Sequence, residues 1–260
     1  MKRESLTLRD GLTLSYLRWG DAGAPDVLLL HGGNLSADDW QEVAPALAAA
    51  GRRVIALDLR GCGESDWDTE ARYGVEQTVA DVEELRLESF VLVGHSLGAV
   101  AACVYAARNP EQVRALVMED GGPADHTKPS ALDNDPQVVF DSEQEALAAL
   151  PPGLPAWVPA TRFRRLEDGR VTWRSDLAGR VRWAKGGGEP LIPGLWPYVE
   201  ALRCPTLVVR GAESPLFKAD YAERMVELNP MIRLVTIPGA GHLVHCLQPA
   251  AFTAAVLDFL

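Results

Sequence analysis

Positive charge is scarce in this chain of 260 residues, because 25 lysines and arginines stand against 36 aspartates and glutamates for a formal net charge of −11. Nucleic acids and anionic membrane surfaces bind to basic patches, so we expect neither as a partner. No apolar run approaches the roughly 18 residues of a transmembrane helix. The segment Met1–Leu6 is not followed by the apolar core of a signal peptide, so we expect a cytoplasmic protein.

Metal-binding and nucleotide-binding motifs are also missing. The four cysteines, which are Cys62, Cys103, Cys204 and Cys246, are far apart and show no metal-ligand spacing. The glycine-containing segment Leu59–Asp66 lacks the third glycine of a dinucleotide fingerprint and the lysine of a P-loop. We therefore expect reduced thiols, no metal and no cofactor, with turns as the role of those glycines.

The residues that are present alternate between strand-like and helix-like segments. A hairpin is indicated around Asp10-Gly11, and the unbroken apolar run Val27–Leu30 is typical of a parallel strand covered on both faces. Later segments repeat the order strand, helix, strand, which predicts an α/β fold with a mostly parallel sheet.

The alternation stops at residues 123–197, where prolines, arginines and aromatic residues accumulate. A structureless loop of that length is unusual inside a compact domain, so we expect a helical lid inserted over the strand ends, with Glu143–Leu150 as its clearest helix. Residues 1–122 and 198–260 would form the catalytic domain.

The most informative motif is Gly94-His95-Ser96-Leu97-Gly98, which lies between the strand-like Ser89–Val93 and the helix-like Ala99–Arg108. Glycines two positions before and after a serine allow a very tight turn from strand to helix. Such a turn raises the serine hydroxyl above the sheet and points a helix N-terminus at a substrate. Ser96 is the predicted nucleophile.

A serine nucleophile needs a base, and the chain contains five histidines. His242 follows a strand through a glycine-rich loop and is the predicted base. His245 is expected to pack under the last helix, His31 to anchor the turn after its strand, and His126 to belong to the lid. His95 is expected to point away from the serine, toward packing or a local hydrogen bond.

The oxyanion that forms during attack on a carbonyl needs preorganised donors. The backbone N–H of Leu97 at the helix N-terminus is one candidate. The second is expected from the turn His31-Gly32-Gly33-Asn34, from Gly33 first and from Asn34 as the alternative.

Four segments together resemble the α/β-hydrolase superfamily and occur in its chain order. The segments are His31–Gly33, Asp58–Asp66, Gly94–Gly98 and Gly239–His242. The resemblance implies an eight-stranded, mostly parallel sheet with helices on both faces and a serine, histidine and acid triad at the strand ends. It covers the catalytic domain and does not extend to the lid.

The acid departs from the commonest pattern of that superfamily. Most members carry an aspartate three residues after the glycine that ends the seventh strand, and here Gly211 is followed at that spacing by Ser214. One branch takes the acid from the end of strand six, where this chain has Asp120. Glu213, one residue out of place, and Glu119 remain alternatives; since side chains alternate along a strand, only one of Glu119 and Asp120 can meet the histidine.

The resemblance and the residues predict hydrolysis of a small carboxylic ester, thioester, lactone or amide through an acyl-enzyme on Ser96. Related dehalogenases and epoxide hydrolases need a carboxylate at that position instead. Alternatives are carbon–carbon bond hydrolysis or cofactor-free haloperoxidase activity on the same triad, or a ligand-binding receptor with little turnover. The oligomeric state is left open.

The lid contains a basic island within Thr161–Lys185. The simplest role for this island is an exposed charged face of the lid. The alternative is that one or two of its arginines recognise a carboxylate of the substrate. Its cations are Arg162, Arg164, Arg165, Arg170, Arg174, Arg180, Arg182 and Lys185.

Overall fold

A large central sheet organises the computed structural model, which describes residues 1–21, 23, 26–123, 138–150, 153–186 and 194–260. The candidate histidine His126 lies outside these residues. In the part of the chain that the structure describes, the strands are β1 (Lys2–Thr7), β2 (Thr13–Trp19), β3 (Val27–Leu30), β4 (Val54–Leu57), β5 (Phe90–His95), β6 (Val113–Glu119), β7 (Val139–Phe140), β8 (Phe163–Arg165), β9 (Val171–Trp173), β10 (Thr206–Gly211) and β11 (Ile232–Ile237).

Eight of these strands form the central sheet in the order β1-β2-β4-β3-β5-β6-β10-β11. The first hairpin and the pair β2 and β4 are antiparallel, and the remaining neighbours are parallel. The α/β-hydrolase fold with a mostly parallel eight-stranded sheet is thereby confirmed. The parallel arrangement brings the carboxyl ends of β5, β6, β10 and β11 to one edge, where ligands bind in open α/β sheets.

Helices cover both faces of this sheet. Among the described residues they are α1 (Val43–Ala49), α2 (Val75–Glu84), α3 (Leu97–Arg108), α4 (Glu143–Ala148), α5 (Val158–Arg162), α6 (Leu177–Lys185), α7 (Trp196–Ala201), α8 (Ala219–Leu228), α9 (Val244–Leu247) and α10 (Pro249–Phe259), with a 3-10 helix over Ala37–Trp40. None of them has the length and apolar character to cross a bilayer.

Two apolar layers result from the alternation of side chains along the strands. Leu28 and Leu30 of β3 face the layer that contains α2, α3, α7 and α8. Leu29, between them, faces the layer that contains α1, α9 and α10. All three leucines are fully buried, which explains the unbroken apolar run of this strand.

The insertion at 123–197, which we expected to be helical, contains strands as well as helices among its described residues. Strands β7, β9 and β8 form a small antiparallel sheet beside the helices α4, α5 and α6. Strands β8 and β9 flank a turn with Asp168 and Gly169, and the positive φ of 87° at Gly169 suits a residue without Cβ. Helix α7 crosses the expected boundary at 197/198, and the division into catalytic domain and lid remains a prediction.

Candidate active site

Ser96 occupies a strained turn between β5 and α3. Its φ of 53° and ψ of −116° lie in a region that L residues rarely adopt. A Cβ at Gly94 would lie 2.3 Å from the carbonyl oxygen of Gly98, and a Cβ at Gly98 would lie 2.5 Å from that of His31. Both positions therefore require glycine, and the motif forms the expected sharp turn from strand to helix.

Asp120 follows β6 at the same edge of the sheet. The residue is buried and has a positive φ of 43°. Its backbone N–H donates to the carbonyl of Val209 in β10 at 2.8 Å, and the N–H of Gly211 donates to Asp120 Oδ1 at 3.0 Å. These contacts with the neighbouring strand hold the carboxylate in one place.

His242 reaches this edge on a loop that crosses the end of β10. A Cβ at Gly211 would lie 2.0 Å from the carbonyl oxygen of Gly241, so the absence of a side chain at Gly211 allows the crossing. The imidazole is partly exposed, with 22% of its side-chain surface accessible, and is within reach of a bound molecule.

A linear chain of hydrogen bonds joins the three side chains. His242 Nδ1 lies 2.7 Å from Asp120 Oδ2, and His242 Nε2 lies 2.9 Å from Ser96 Oγ. Because an ionised carboxylate only accepts, Nδ1 carries the proton and Nε2 accepts from the serine hydroxyl. The imidazole is thus oriented to take the proton of Ser96.

The two alternative acids lie elsewhere. Glu213 is exposed, and its backbone N–H donates to the carbonyl of Ala240 at 3.0 Å. Glu119 is fully buried and faces away from His242, where its Oε1 accepts from the backbone N–H and Nδ1 of His245 at 2.8 and 2.7 Å. The alternation expected along β6 places Asp120 and not Glu119 on His242.

Ser214 has a role that sequence reasoning missed. Its hydroxyl donates to Asp120 Oδ2, the oxygen that also accepts from His242. The backbone N–H groups of Leu216 and Phe217 donate to Ser214 Oγ, each at 3.3 Å. Ser214 stands at the spacing where an aspartate is usual, and it binds Asp120 at the end of the neighbouring strand. Its position three residues after Gly211 was the sequence signal that could have indicated this role.

The turn after β3 lies against the serine. A Cβ at Gly32 would lie 3.0 Å from Ser96 Cβ, so this turn, which continues into Gly33, passes close to the nucleophile. Asn34 instead directs its side chain to the insertion, where Ser175 Oγ donates to Asn34 Oδ1 at 3.2 Å. Leu97 is the first residue of α3, and its N–H is one of the four without an acceptor inside the helix.

His31 anchors this turn, as expected. Its Nε2 accepts from the N–H of Leu59 at 2.9 Å, which leaves Nδ1 to donate to the carbonyl of Gly32 at 2.7 Å. Burial lowers the pKa of His31 to about 4, and the positive charges of Arg180 and Arg162 act in the same direction. The imidazole is neutral at physiological pH and holds its turn by two fixed hydrogen bonds.

A buried polar cluster lies beneath His242. The ring of His95 lies 4.7 Å from that of His242 and 4.9 Å from that of His245, centroid to centroid, and His245 stacks on Trp40. Burial, with His242 and His245 nearby, lowers the pKa of His95 well below its ordinary value. Burial also opposes the charge of His245, but Cys246 and Glu119 raise its pKa well above the ordinary value.

Two sets of potential metal ligands share His245 in this cluster, one with His95 and Glu119 and the other with Asp39 and Cys246. Within each set the ligand atoms lie within 4.8 Å of one another. The carboxylates are already engaged, since Glu119 accepts from His245 and Asp39 pairs with Arg162. These contacts would compete with a metal ion for the carboxylates. They also explain why the side chains lie close together in the absence of a metal ion.

Most arginines of the basic island pair with carboxylates or lie on an aromatic ring. Arg162 pairs with the buried Asp39, and Arg180 differs from the rest because its Nη2 contacts the thiol of Cys62 at 3.0 Å. The other contacts are Arg165 with Glu143, Arg170 with Asp168, Arg174 with Asp38 and Glu64, Arg182 with Asp176, and Arg164 over Trp67.

Comparisons with known proteins agree with the fold described above. The sequence pattern of the alpha/beta hydrolase fold family matches residues 25–249. An esterase of Mycobacterium tuberculosis is 30% identical over 95% of this chain and 86% of the relative. N-formylmaleamate deformylase of Pseudomonas putida is 30% identical over 96% and 94%, respectively. The crystal structure of E-2-(acetamidomethylene)succinate hydrolase superposes with a TM-score of 0.84 at 27% identity, over 99% of this chain and 98% of that chain. The chain therefore belongs to the α/β-hydrolase family and is an enzyme of that family.

Proposed function

We propose that the protein is a serine hydrolase that cleaves a small carboxylic ester, thioester, lactone or amide through an acyl-enzyme on Ser96. The observation that carries the proposal is the unbroken chain from Ser96 Oγ through both nitrogens of His242 to Asp120. A neutral serine hydroxyl is a poor nucleophile, and this arrangement supplies a base together with a carboxylate that stabilises the imidazolium.

In the first half-reaction His242 Nε2 takes the proton of Ser96 while Oγ attacks the carbonyl carbon. The negative charge that develops on the carbonyl oxygen is stabilised by the N–H groups of Leu97 and Gly33, each of which contributes roughly 3–4 kcal/mol on the scale of known oxyanion donors. The tetrahedral intermediate then collapses, and the imidazolium donates its proton to the leaving group. The product of this step is the acyl ester of Ser96.

In the second half-reaction His242 takes a proton from water, and the resulting hydroxide attacks the acyl ester. Collapse of the second intermediate returns the proton to Ser96 Oγ and releases a carboxylic acid. Asp120 stays ionised throughout and keeps the proton of His242 on Nδ1. Dehalogenase and epoxide hydrolase chemistry proceeds through an alkyl ester of a carboxylate and is not available to a serine at this position.

The names of the similar proteins support acyl transfer to water. One relative is an esterase, another is a deformylase, and the solved structure is that of a hydrolase. A small molecule is the expected substrate because the nucleophile lies beside an insertion at the strand ends.

Labelling with a fluorophosphonate probe, combined with burst kinetics on 4-nitrophenyl butyrate, tests the proposal. We expect one equivalent of label on Ser96, located by peptide mass spectrometry, and loss of both label and turnover in Ser96→Ala. Ser5→Ala, on the exposed face of β1, is the matched control and keeps both. Ligand binding without label and without a burst would instead indicate a receptor that has the fold of a hydrolase.

A further inference from the structure

Arg180 is a buried cation beside the proposed oxyanion turn. It lies on α6, and only 5% of its surface is exposed. Its Nη1 would lie 3.7 Å from a Cβ at Gly33, so the guanidinium faces the residue whose N–H we assign to the oxyanion. Gly32, the neighbouring residue, lies against Ser96. The insertion therefore places a positive charge next to the turn that we propose as part of the oxyanion site.

The charge of Arg180 has no counter-ion among the residues that the structure describes. No described carboxylate lies within 4.0 Å of this guanidinium, whereas Arg162 of α5, which is also buried, pairs with Asp39. The Nε of Arg180 is buried without a hydrogen-bond partner. An unpaired buried charge is costly to a folded protein, and a bound carboxylate would remove that cost.

The groups in direct contact with the guanidinium of Arg180 are neutral. Its Nη2 donates to Cys62 Sγ at 3.0 Å, and burial raises the pKa of that thiol so that it stays protonated. The ring of Tyr73 lies 5.6 Å from Arg180 Cζ, while the Tyr73 hydroxyl is engaged by Asp176 at 2.7 Å. These contacts orient the planar guanidinium and supply no paired carboxylate within the described part of the chain, which is the state suited to a carboxylate ligand.

We infer that Arg180 binds a carboxylate of the substrate, so that the preferred substrates are monoesters or monoamides of small dicarboxylic acids with the free carboxylate on the acyl part. The inference rests on the proposed function for the scissile bond, and it adds the substrate class. A guanidinium beside Gly33 holds the acyl chain by its charged end while the carbonyl lies between Ser96 and the oxyanion donors. The carboxylate and the guanidinium neutralise each other in a site shielded from water.

Two measurements on the full-length protein test the assignment. The first is the Kd of glutarate, a dicarboxylate without a scissile bond, determined by calorimetry for wild type, Arg180→Gln, Arg180→Lys and Arg170→Gln. Arg170 is the matched control because its exposed guanidinium pairs with Asp168 at 2.8 Å on the surface. We expect Arg180→Gln to weaken glutarate binding by about 10- to 100-fold, the range of a lost charge-assisted hydrogen bond. Arg180→Lys should lie between this variant and wild type, and Arg170→Gln should match wild type.

The second measurement compares kcat/KM for 4-nitrophenyl hydrogen glutarate with that for the uncharged 4-nitrophenyl valerate. Arg180→Gln should lower the ratio of the first value to the second by about 10- to 100-fold, and Arg170→Gln should leave this ratio unchanged. A thermal melt of each variant verifies that it is folded. If Arg180→Gln is not folded, the comparison uses Arg180→Lys, which retains the positive charge but not the planar guanidinium.

Three outcomes would overturn the inference: a wild-type protein that does not bind glutarate, equal glutarate affinity in wild type and Arg180→Gln, or an equal change for charged and neutral esters. Failure of the hydrolase proposal gives a different pattern, in which Ser96 is neither labelled nor acylated. The glutarate titration needs no turnover and therefore decides the role of Arg180 in either case.

Discussion

Ser214 and His242 donate hydrogen bonds to the same oxygen of Asp120, Oδ2, from two different loops. The serine stands at the spacing where most α/β-hydrolases carry their acid, and the aspartate stands at the end of the neighbouring strand. The carboxylate is therefore held from both strand ends. Substitutions of Asp120, Glu213 and Ser214 should therefore have different effects on kcat.

Asp120→Asn should lower kcat for 4-nitrophenyl butyrate by about 10⁴-fold, the loss seen when the acid of a serine triad becomes an amide. The amide would favour the tautomer of His242 that cannot accept from Ser96. Glu213→Gln is the matched control, and it should change kcat by less than about 3-fold because Glu213 is exposed. A loss of several orders of magnitude in Glu213→Gln alone would reverse the assignment.

Ser214→Asp in the background of Asp120→Asn should restore part of that activity. A carboxylate at position 214 lies close to the oxygen position that now binds His242, since the two side chains are in hydrogen-bond contact. We expect kcat at least about 10-fold above that of Asp120→Asn, the gain of one charge-assisted hydrogen bond. Ser214→Ala in the same background should give no gain, and a gain with alanine would refute the explanation.

Ser96→Gly should be more stable than Ser96→Ala, although both variants lack the nucleophile. The backbone angles at position 96 cost a residue with Cβ about 1–3 kcal/mol, whereas the extra freedom of glycine in the unfolded chain costs about 0.4–1 kcal/mol. Urea unfolding should therefore show a difference of about 1 kcal/mol in favour of glycine. Equal stabilities would mean that the turn is not strained in solution.

Arg162→Met should destabilise the protein by about 3–5 kcal/mol, because the fully buried carboxylate of Asp39 would lose its counter-ion. Arg180→Met should leave the free energy of unfolding unchanged or raise it, since that guanidinium has no carboxylate partner among the described residues. Urea unfolding at pH 7 compares the two. Adding Asp39→Asn to Arg162→Met should recover part of the loss, and a further loss would contradict a role for the ion pair.

His31 should make folding sensitive to acid. Its pKa is about 4 in the folded protein and about 6.5 in the unfolded chain, so the unfolded state binds the extra proton between these values. The stabilisation is complete above pH 6.5 and is lost as the pH falls toward 4, by about 3 kcal/mol in total at 1.36 kcal/mol per pKa unit. His31→Gln retains hydrogen-bonding groups without this titration. Between pH 7 and pH 4 the free energy of unfolding of His31→Gln, measured by urea unfolding, should fall by about 3 kcal/mol less than that of wild type.

The individual strands of the sheet and the serine turn could be predicted because their signals are local. The strand Val27–Leu30 has the bounds that its apolar run indicates, and the glycines at 94 and 98 have contacts that exclude any Cβ. The roles assigned to Ser96, His242, Asp120, Gly33 and Leu97 remain predictions for the experiments above.

Features that depend on contacts between distant segments could not be predicted in the same way. The hydrogen bond of Ser214 to Asp120 spans 94 positions, and that of Arg180 to Cys62 spans 118. The strands of the insertion were missed although Asp168-Gly169 is a turn signal, because the flanking strands are only three residues long. The position of Arg180 beside Gly33 is decided by packing that no sequence spacing encodes.

Gly211 has a consequence for protein engineering. Its N–H holds Asp120, and its bare Cα lets the loop that carries His242 cross at contact distance. A side chain there would displace the acid and the base together, so a mutant library that varies position 211 would sample mostly inactive proteins. Changes of substrate range are better sought among insertion residues around Arg180, which can vary while the geometry of proton transfer is conserved.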